Sequence, residues 1–253
     1  MKNKKILLKE LFNISPFKGR TVTQINKTIY SLKKNNSFIR FNHLIIFDKT
    51  SKKIINSINI NNLKTSLYKI EAYEINENGI YNAINFALRK IPFNSFYIVL
   101  GAGDLVKEIS GKILLNNKSN IIIFPYILSF SENKKYISSL RPFKSGMPYC
   151  HNAIAFRNNG IKYNTNYSIS ADYDYFLNYI CFYKLNKKKV SNEIQTNLKV
   201  EFESLTGISS NSKLKKNIQN IFIIYKKFRI FGIIVYFWHT LKRILRKFWM
   251  KSP

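Results

Sequence analysis

Three carboxylates in this chain stand where a fold can use them. His43-Leu-Ile-Ile-Phe47 is an apolar run that stops on Asp48, and Phe96-Tyr-Ile-Val-Leu100 passes through Gly101-Ala-Gly into Asp104. Further on, Ser170-Ala-Asp172-Tyr-Asp174 opens a helical stretch on acids. Ligands of open α/β sheets lie in the crevice beyond the carboxyl ends of the strands, which places Asp48 and Asp104 within reach of one. Asp172 and Asp174, two apart, stand about 200° from each other around a helix axis and cannot both face the same ligand. The partial positive charge at a helix start favours a carboxylate there.

The elements that must position these acids follow from periodicity. Ile25, Ile29 and Leu32 have helical spacing, so a helix is predicted over 23–34, ahead of a strand at 43–47. A weak strand near 68–73, a helix over 79–91 and strands at 96–100 and 120–126 come next, with a short returning strand at 152–156. Asn158-Asn-Gly160 marks a turn, and 170–184 reads as a helix with the stripe Tyr173, Phe176, Leu177 and Ile180. At the start of the chain, Ile6-Leu-Leu8 is a candidate opening strand and Ser15-Pro-Phe-Lys-Gly19 a turn. Strands that alternate with helices and read as continuous apolar runs predict an α/β fold whose mostly parallel sheet is covered on both faces.

With 253 residues, 45% of them apolar, the chain can build one such domain and a small appendage. Forty-two Lys and Arg against 13 Asp and Glu give a formal charge of +29, which attracts polyanions: nucleic acid, anionic lipid or phosphorylated ligands. Lys, Asn and Ile are abundant throughout, so part of that charge is a solvated surface. Cys150 and Cys181 are the only cysteines and lack metal-ligand spacing, which argues against a disulfide scaffold or structural zinc and fits a reducing, cytoplasmic setting. The basic N-terminus has an interrupted apolar stretch and no cleavage site, unlike a signal peptide. No run reaches the 18 to 20 apolar residues, roughly, of a spanning helix.

After Glu203 the chain contains no acid, and this shift sets an expected boundary near 205–215: a domain over 1–205 and a basic amphipathic helical tail over 206–253. Residues 221–250 mix aromatic and aliphatic side chains with Lys226, Lys227, Arg229, Lys242, Arg243, Arg246 and Lys247. That composition suits a helix lying in the headgroup region of an anionic membrane, or a helical hairpin packed on the domain.

Four blocks carry a resemblance to family 2 glycosyltransferases of the GT-A (Rossmann-like) fold, in the bacterial branch that builds surface polysaccharides. Glu77-Asn-Gly-Ile-Tyr-Asn-Ala-Ile-Asn85 is similar to an acid followed by Gly-Ile-Tyr-Asp-Ala-Met-Asn, and Leu100-Gly-Ala-Gly-Asp104 to the strand end that keeps a final acid. Met147-Pro-Tyr-Cys-His-Asn-Ala153 resembles Met-Pro-x-Cys-His-Gln-Ala, and Tyr167-Ser-Ile-Ser-Ala-Asp-Tyr-Asp-Tyr-Phe-Leu177 resembles Tyr-x-Ile-Ala-Ala-Asp-Tyr-Asp-Leu-x-Leu. The blocks span residues 43 to 180 with their order kept. Departures stand beside them: Lys53 falls at the family's second acid, Asn82 at its usual Asp, and the opening strand is not recognisable before Thr28.

The resemblance implies an inverting, metal-dependent glycosyltransferase of hexosyltransferase type. It would move a sugar from a nucleotide sugar to a glycan or glycolipid acceptor, lipid-linked, on the inner face of the cell membrane. Asp104 is then the ligand of a divalent cation, Mn²⁺ or Mg²⁺, that bridges the diphosphate. Asp48 accepts hydrogen bonds from the nucleoside, with Ser51 in the same loop. Asp172 is the general base for the acceptor hydroxyl, and His151 lies on the acceptor or leaving-group side. Asn82, Asn85 and Arg89 share a polar stripe opposite Ile80, Ala83, Ile84, Ala87 and Leu88, facing donor phosphates or solvent; Asn85 and Arg89 are the donor candidates. The partners expected are the nucleotide sugar, the acceptor and an anionic membrane surface met by 221–250. No nucleic acid is expected, because no RNA- or DNA-binding motif accompanies the charge. The alternatives are a basic nucleic-acid-binding protein and a catalytically inactive transferase-like subunit. Residues 127–146 hold no readable code for sugar or linkage.

Overall fold

The structure, a computed structural model, describes residues 9–18, 21–34, 39–77, 79–109, 120–128, 135–136, 142–191, 198–202 and 212–249. Its main sheet has six strands in the order β3-β2-β1-β4-β9-β6. These are β1 (Lys9–Phe17), β2 (Ile39–Asp48), β3 (Tyr68–Ile75), β4 (Phe96–Val99), β6 (Ile121–Ile123) and β9 (Ile154–Arg157). The pairs β3/β2, β2/β1 and β1/β4 are parallel, and β9 runs antiparallel to both β4 and β6. A smaller sheet in the order β5-β10-β7-β8 is built from β5 (Leu105–Ile109), β7 (Tyr126–Leu128), β8 (Lys135–Tyr136) and β10 (Leu198–Phe202).

Strand β2 shows why the sheet is sandwiched. Leu44 and Ile46 pack into a core shared with α3 (Ile80–Leu88) and α4 (Ala171–Phe182), while Phe41, Ile45 and Phe47 pack into another shared with α1 (Val22–Lys34) and α2 (Lys52–Asn56). Side chains alternate faces along a strand, so a strand covered on both sides needs apolar residues at every step. A short helix α5 (Lys187–Ser191) follows α4.

Two expectations are corrected. The opening strand exists: β1 occupies a central position between β2 and β4, and 15–17, read as a turn, form its end. Pro16 concealed it, because proline is rare in central strands. Here it lies beyond Ile14, the last residue paired with β4, where the strand keeps a neighbour on one side only. The strand expected over 120–126 is two strands in two sheets, divided at Phe124-Pro125, since a proline cannot continue a ladder. The stretch Ile6–Leu8, the 205–211 part of the expected boundary, and 129–134 and 137–141 of the region without a readable code lie outside the described residues.

The last helix, α6 (Lys213–Trp249), is broken at Arg229 (φ 56°, ψ −155°). The Tyr236 hydroxyl donates to Asn217 Oδ1 at 3.3 Å. A straight helix would hold residues 19 apart about 28 Å from each other, so the halves fold back as a hairpin. A Cβ on Gly232 would stand 2.5 Å from Phe228 Cβ and 2.8 Å from Ile224 Cγ2, so the turn closes only around glycine. The sequence offered both a surface-lying helix and a hairpin on the domain; the chain forms the hairpin, with Ile223 and Ile224 of its first half in the core. Among the described residues no helix is long and apolar enough to cross a membrane.

Within the α1-side core His43 is fully enclosed between the Tyr68 hydroxyl (Nδ1, 2.8 Å) and the Ser15 hydroxyl (Nε2, 2.8 Å). Burial lowers its pKa from 6.5 to about 3. Between those values the unfolded chain binds a proton that the folded chain does not, so the stability due to neutral His43 is present above pH 6.5 and is lost as pH falls towards 3. Urea midpoints measured across that window should fall with acidity, and His43→Gln should flatten the slope relative to the wild-type chain.

Candidate active site

The order β3-β2-β1-β4 reverses direction between β1 and β4, which makes the carboxyl ends of these strands the switch point of the sheet. Asp104 stands there, past the end of β4. Its Oδ2 accepts from the Gly101 backbone N–H and from Asn152 Nδ2, each at 2.7 Å. Thr28 on α1, fully buried, fixes the loop from the other side. Its hydroxyl donates to Asp104 O (2.8 Å), with Gly101 O at 3.3 Å, and accepts from Gly103 N (3.0 Å). Gly103 takes φ +102°, open to glycine without strain, which lets the loop close on one hydroxyl.

Cys150, His151 and Asn152 approach from the turn before β9. His151 Nε2 lies 2.7 Å from the Tyr163 hydroxyl. Burial lowers the His151 pKa, while the charge of Asp172 and a hydrogen bond with Asn152 oppose that shift. The imidazole is therefore largely neutral near pH 7 and works as a hydrogen-bond partner rather than a cation. His151 meets Tyr163, and Asn152, the next residue, donates to Asp104, so one turn touches both.

Asp172 stands in the first turn of α4. Burial first raises the Tyr81 and Tyr163 hydroxyls and the charge of Asp172 adds to that, while at His151 the same charge opposes the lowering by burial. Cys150 joins the two acids: its thiol is pushed up to about 12 by burial first, then by the charges of both Asp104 and Asp172. Carboxylates distant in sequence thus both act electrostatically on one thiol. Asp174, on the far side of α4, is buried; desolvation raises its carboxyl, Lys227 and Lys226 pull it down, and it accepts from Asn178 (3.0 Å).

The remaining predicted residues divide. Asp48 ends β2 on the same edge of the sheet and accepts from Thr50 Oγ1 (2.7 Å), Ser51 Oγ (3.0 Å) and Ser51 N (3.2 Å), with Lys18 Nζ 3.6 Å away. The Thr50 hydrogen bond chiefly holds its carboxyl below the usual range. Ser51 is buried and faces Asp48. The stripe through Asn85 and Arg89 does not act as a unit. Asn85 is buried and uses both ends of its carboxamide on the Tyr163 backbone, donating to Tyr163 O (2.9 Å) and accepting from Tyr163 N (2.8 Å). Arg89 lies exposed at the end of α3, its guanidinium 5.3 Å from the Phe86 ring centre. The geometry makes Asn85 a clamp on the loop at Tyr163 rather than a contact for phosphate.

Sequence reasoning missed Thr28, Asn152 and a tyrosine stack behind the site. Tyr163 lies parallel on Tyr175 at 4.0 Å and on Tyr81 at 5.8 Å, and Tyr97 donates to the Tyr175 hydroxyl at 2.7 Å. Asn152 was within view, in the block after Cys150; the stack had no local signal, since its members come from α3, β4, a loop and α4.

The donor set at Asp104 is one carboxylate beside a carboxamide, and among the described residues no group of three His, Cys, Asp or Glu side chains could hold a metal. One carboxylate fits a hard cation that takes its other ligands from phosphate and water, and does not fit a protein-built cage.

No protein-family model and no curated sequence matches the chain. Solved structures do resemble it in fold. S. aureus TarS 1–349 in complex with UDP superimposes with a TM-score of 0.55 at 11% identity, over 90% of this chain and 70% of that one. TarS 1–349 in complex with UDP-GlcNAc gives 0.53 at 12% identity, over 90% and 70%. The mannosyltransferase PcManGT from Pyrobaculum calidifontis, in complex with GDP-Man and Mn²⁺, gives 0.55 at 11% identity, over 86% and 63%. The chain therefore has the GT-A fold, with a mostly parallel six-stranded sheet flanked by helices and a C-terminal helical extension.

The electrostatic effect of the two acids on Cys150 is open to a chemical check that needs no substrate. Alkylation of Cys150, followed by peptide mass mapping, should require strongly alkaline pH. In Asp172→Asn or Asp104→Asn, where one negative charge is gone, the pH dependence should move towards neutrality. An unmoved profile in both variants would separate the acids from Cys150.

Proposed function

We propose that the chain is an inverting glycosyltransferase that moves a sugar from a nucleoside diphosphate sugar to a lipid-linked glycan acceptor at an anionic membrane surface. The observation that supports it most is Asp104 held by Asn152 beyond the carboxyl ends of β1 and β4, with the charge of Asp172 acting on Cys150 and His151 of the same turn, in a fold shared with proteins solved with UDP, UDP-GlcNAc and GDP-Man.

In this reading Asp48 and Ser51 receive the nucleoside and Asp104 meets the diphosphate end. Asp104 would hold a Mn²⁺ or Mg²⁺ ion, which would supply neutralisation of the charge that develops on the leaving group. Asp172 takes the proton of the acceptor hydroxyl as its oxygen attacks the anomeric carbon and the nucleoside diphosphate departs from the opposite side, so one displacement inverts the centre. His151, neutral and tied to Tyr163, orients groups at the acceptor side by hydrogen bonding. General-base removal costs on the order of 10²–10⁴ in rate, so Asp172→Asn should abolish detectable transfer with the fold intact. Asp104→Asn should do the same and weaken nucleotide binding in the presence of Mn²⁺. Near wild-type turnover in either variant, against a panel of nucleotide sugars, would overturn that residue's role.

Lys53, exposed on α2 where the resembled family has an acid, favours one second reading, a transferase-like subunit without activity. Calorimetry with UDP or GDP and Mn²⁺ separates the two, since a live site binds both.

The membrane part of the reading is supported by the hairpin. Ile230, Phe231, Ile234, Phe237, Trp238 and Leu241 follow a helical stripe, yet each is 47% exposed or more. A stripe of that spacing ordinarily faces a core. Lys226, Lys227, Arg229 and Lys242 are exposed around it, which matches the composition of interfacial helices on anionic lipid. The protein should sediment with phosphatidylserine-containing vesicles at low salt and less at high salt. Phe231→Glu combined with Phe237→Glu should release it; sedimentation unchanged by that pair would remove the hairpin from the contact.

A further inference from the structure

The segment that delivers Asp172 is held from two directions. The Ile169 and Ser170 backbone N–H groups, immediately before α4, both donate to Gln219 Oε1 at 3.1 and 3.0 Å. Gln219 belongs to the first half of α6, 49 or 50 residues away. Its Nε2 donates to Ser168 Oγ (3.2 Å), and the Ser170 hydroxyl donates to Lys216 O at 3.4 Å, one turn earlier on the same helix. On the opposite edge of that peptide, the Tyr81 hydroxyl from α3 donates to Ile169 O at 2.8 Å. Ser170 caps α4 without a side-chain bond to the helix, so the grip on this start is Gln219 on one side and Tyr81 on the other.

The neighbouring Asn220, buried, places its Nδ2 3.9 Å from where a Cβ on Gly146 would stand, at the foot of the segment that carries Cys150, His151 and Asn152. The Tyr173 hydroxyl of α4 ties down the same foot by donating to Phe143 O at 2.5 Å. The hairpin therefore touches both segments that bring chemistry to the site.

We infer that Gln219 is a positioning residue for the transfer reaction: as a double acceptor from the 169 and 170 amides it sets where Asp172 stands, making the hairpin a working part of the site. The inference rests on Asp172 being the general base. A base misplaced by about 1 Å costs on the order of 100-fold in rate, so the effect belongs in kcat and not in the binding of donor.

Gln219→Met keeps length and helix preference and removes the acceptor. It should lower kcat about 10- to 100-fold, with donor KM and the thermal midpoint close to wild type, and should speed hydrogen exchange at the 169 and 170 amides. Gln219→Glu restores an oxygen that accepts both bonds and should recover most of kcat. Wild-type kcat in Gln219→Met would overturn the inference, as would a loss in Gln219→Met that Gln219→Glu does not relieve. Should Gln219→Met fail to fold, Tyr81→Phe removes the opposite hold with one hydroxyl, and full kcat there would overturn it equally. The two readings part cleanly: transfer by Asp172→Asn removes the function itself, whereas an inactive Asp172→Asn beside a fully active Gln219→Met removes only the positioning role.

Discussion

The 2.7 Å hydrogen bond from the Asn152 carboxamide to the Asp104 carboxylate ties the turn before β9, where His151 meets the Tyr163 hydroxyl, to the loop after β4, and makes a site out of separate strand ends. Tyr163 and Asp104 have further attachments elsewhere. Tyr163 is clamped through its backbone by Asn85 and stacked on Tyr175, and Asp104 is closed onto Gly101 with Thr28 behind its loop. Buried polar groups are costly when half satisfied and confer a unique arrangement when fully paired, so this network selects one geometry at the switch point. The stack and the α3-side core hold its apolar surroundings in place.

Much of the fold was legible because its signals are local. An apolar strand covered on both faces announces itself at β2 and β4, and the helical spacing of Ile25, Ile29 and Leu32 marks α1. What escaped depends on distant partners. β1 reads KELFNISPF, with Asn13 and Ser15 at inward positions and Pro16 near its end, and only His43 and the flanking strands show why such residues belong in a central strand. The division at Pro125 had a local signal that the surrounding apolar run overrode.

The site was legible in parts. The positions of Asp48, Asp104 and Asp172 follow from where apolar runs stop and where a helix starts, and the charges of Asp104 and Asp172 both act on the Cys150 thiol. Asn85 was misjudged because helical periodicity reports a polar face and not what covers it; here a backbone segment 78 residues away consumes the side chain. Gln219 and Thr28 were invisible for the same reason: a lone glutamine and a lone threonine in helices have no signature until the loops they hold are in place.

The distribution of aromatic residues has a practical corollary. Both tryptophans of the chain, Trp238 and Trp249, fall within the second half of the hairpin, while the enclosed rings of the α/β body are tyrosine and phenylalanine. Indole emission therefore originates from one appendage alone, and phenol emission largely from the body. The molecule carries two built-in optical channels, in which the solvation of its outer helix can be followed without labels and apart from the unfolding of everything beneath it.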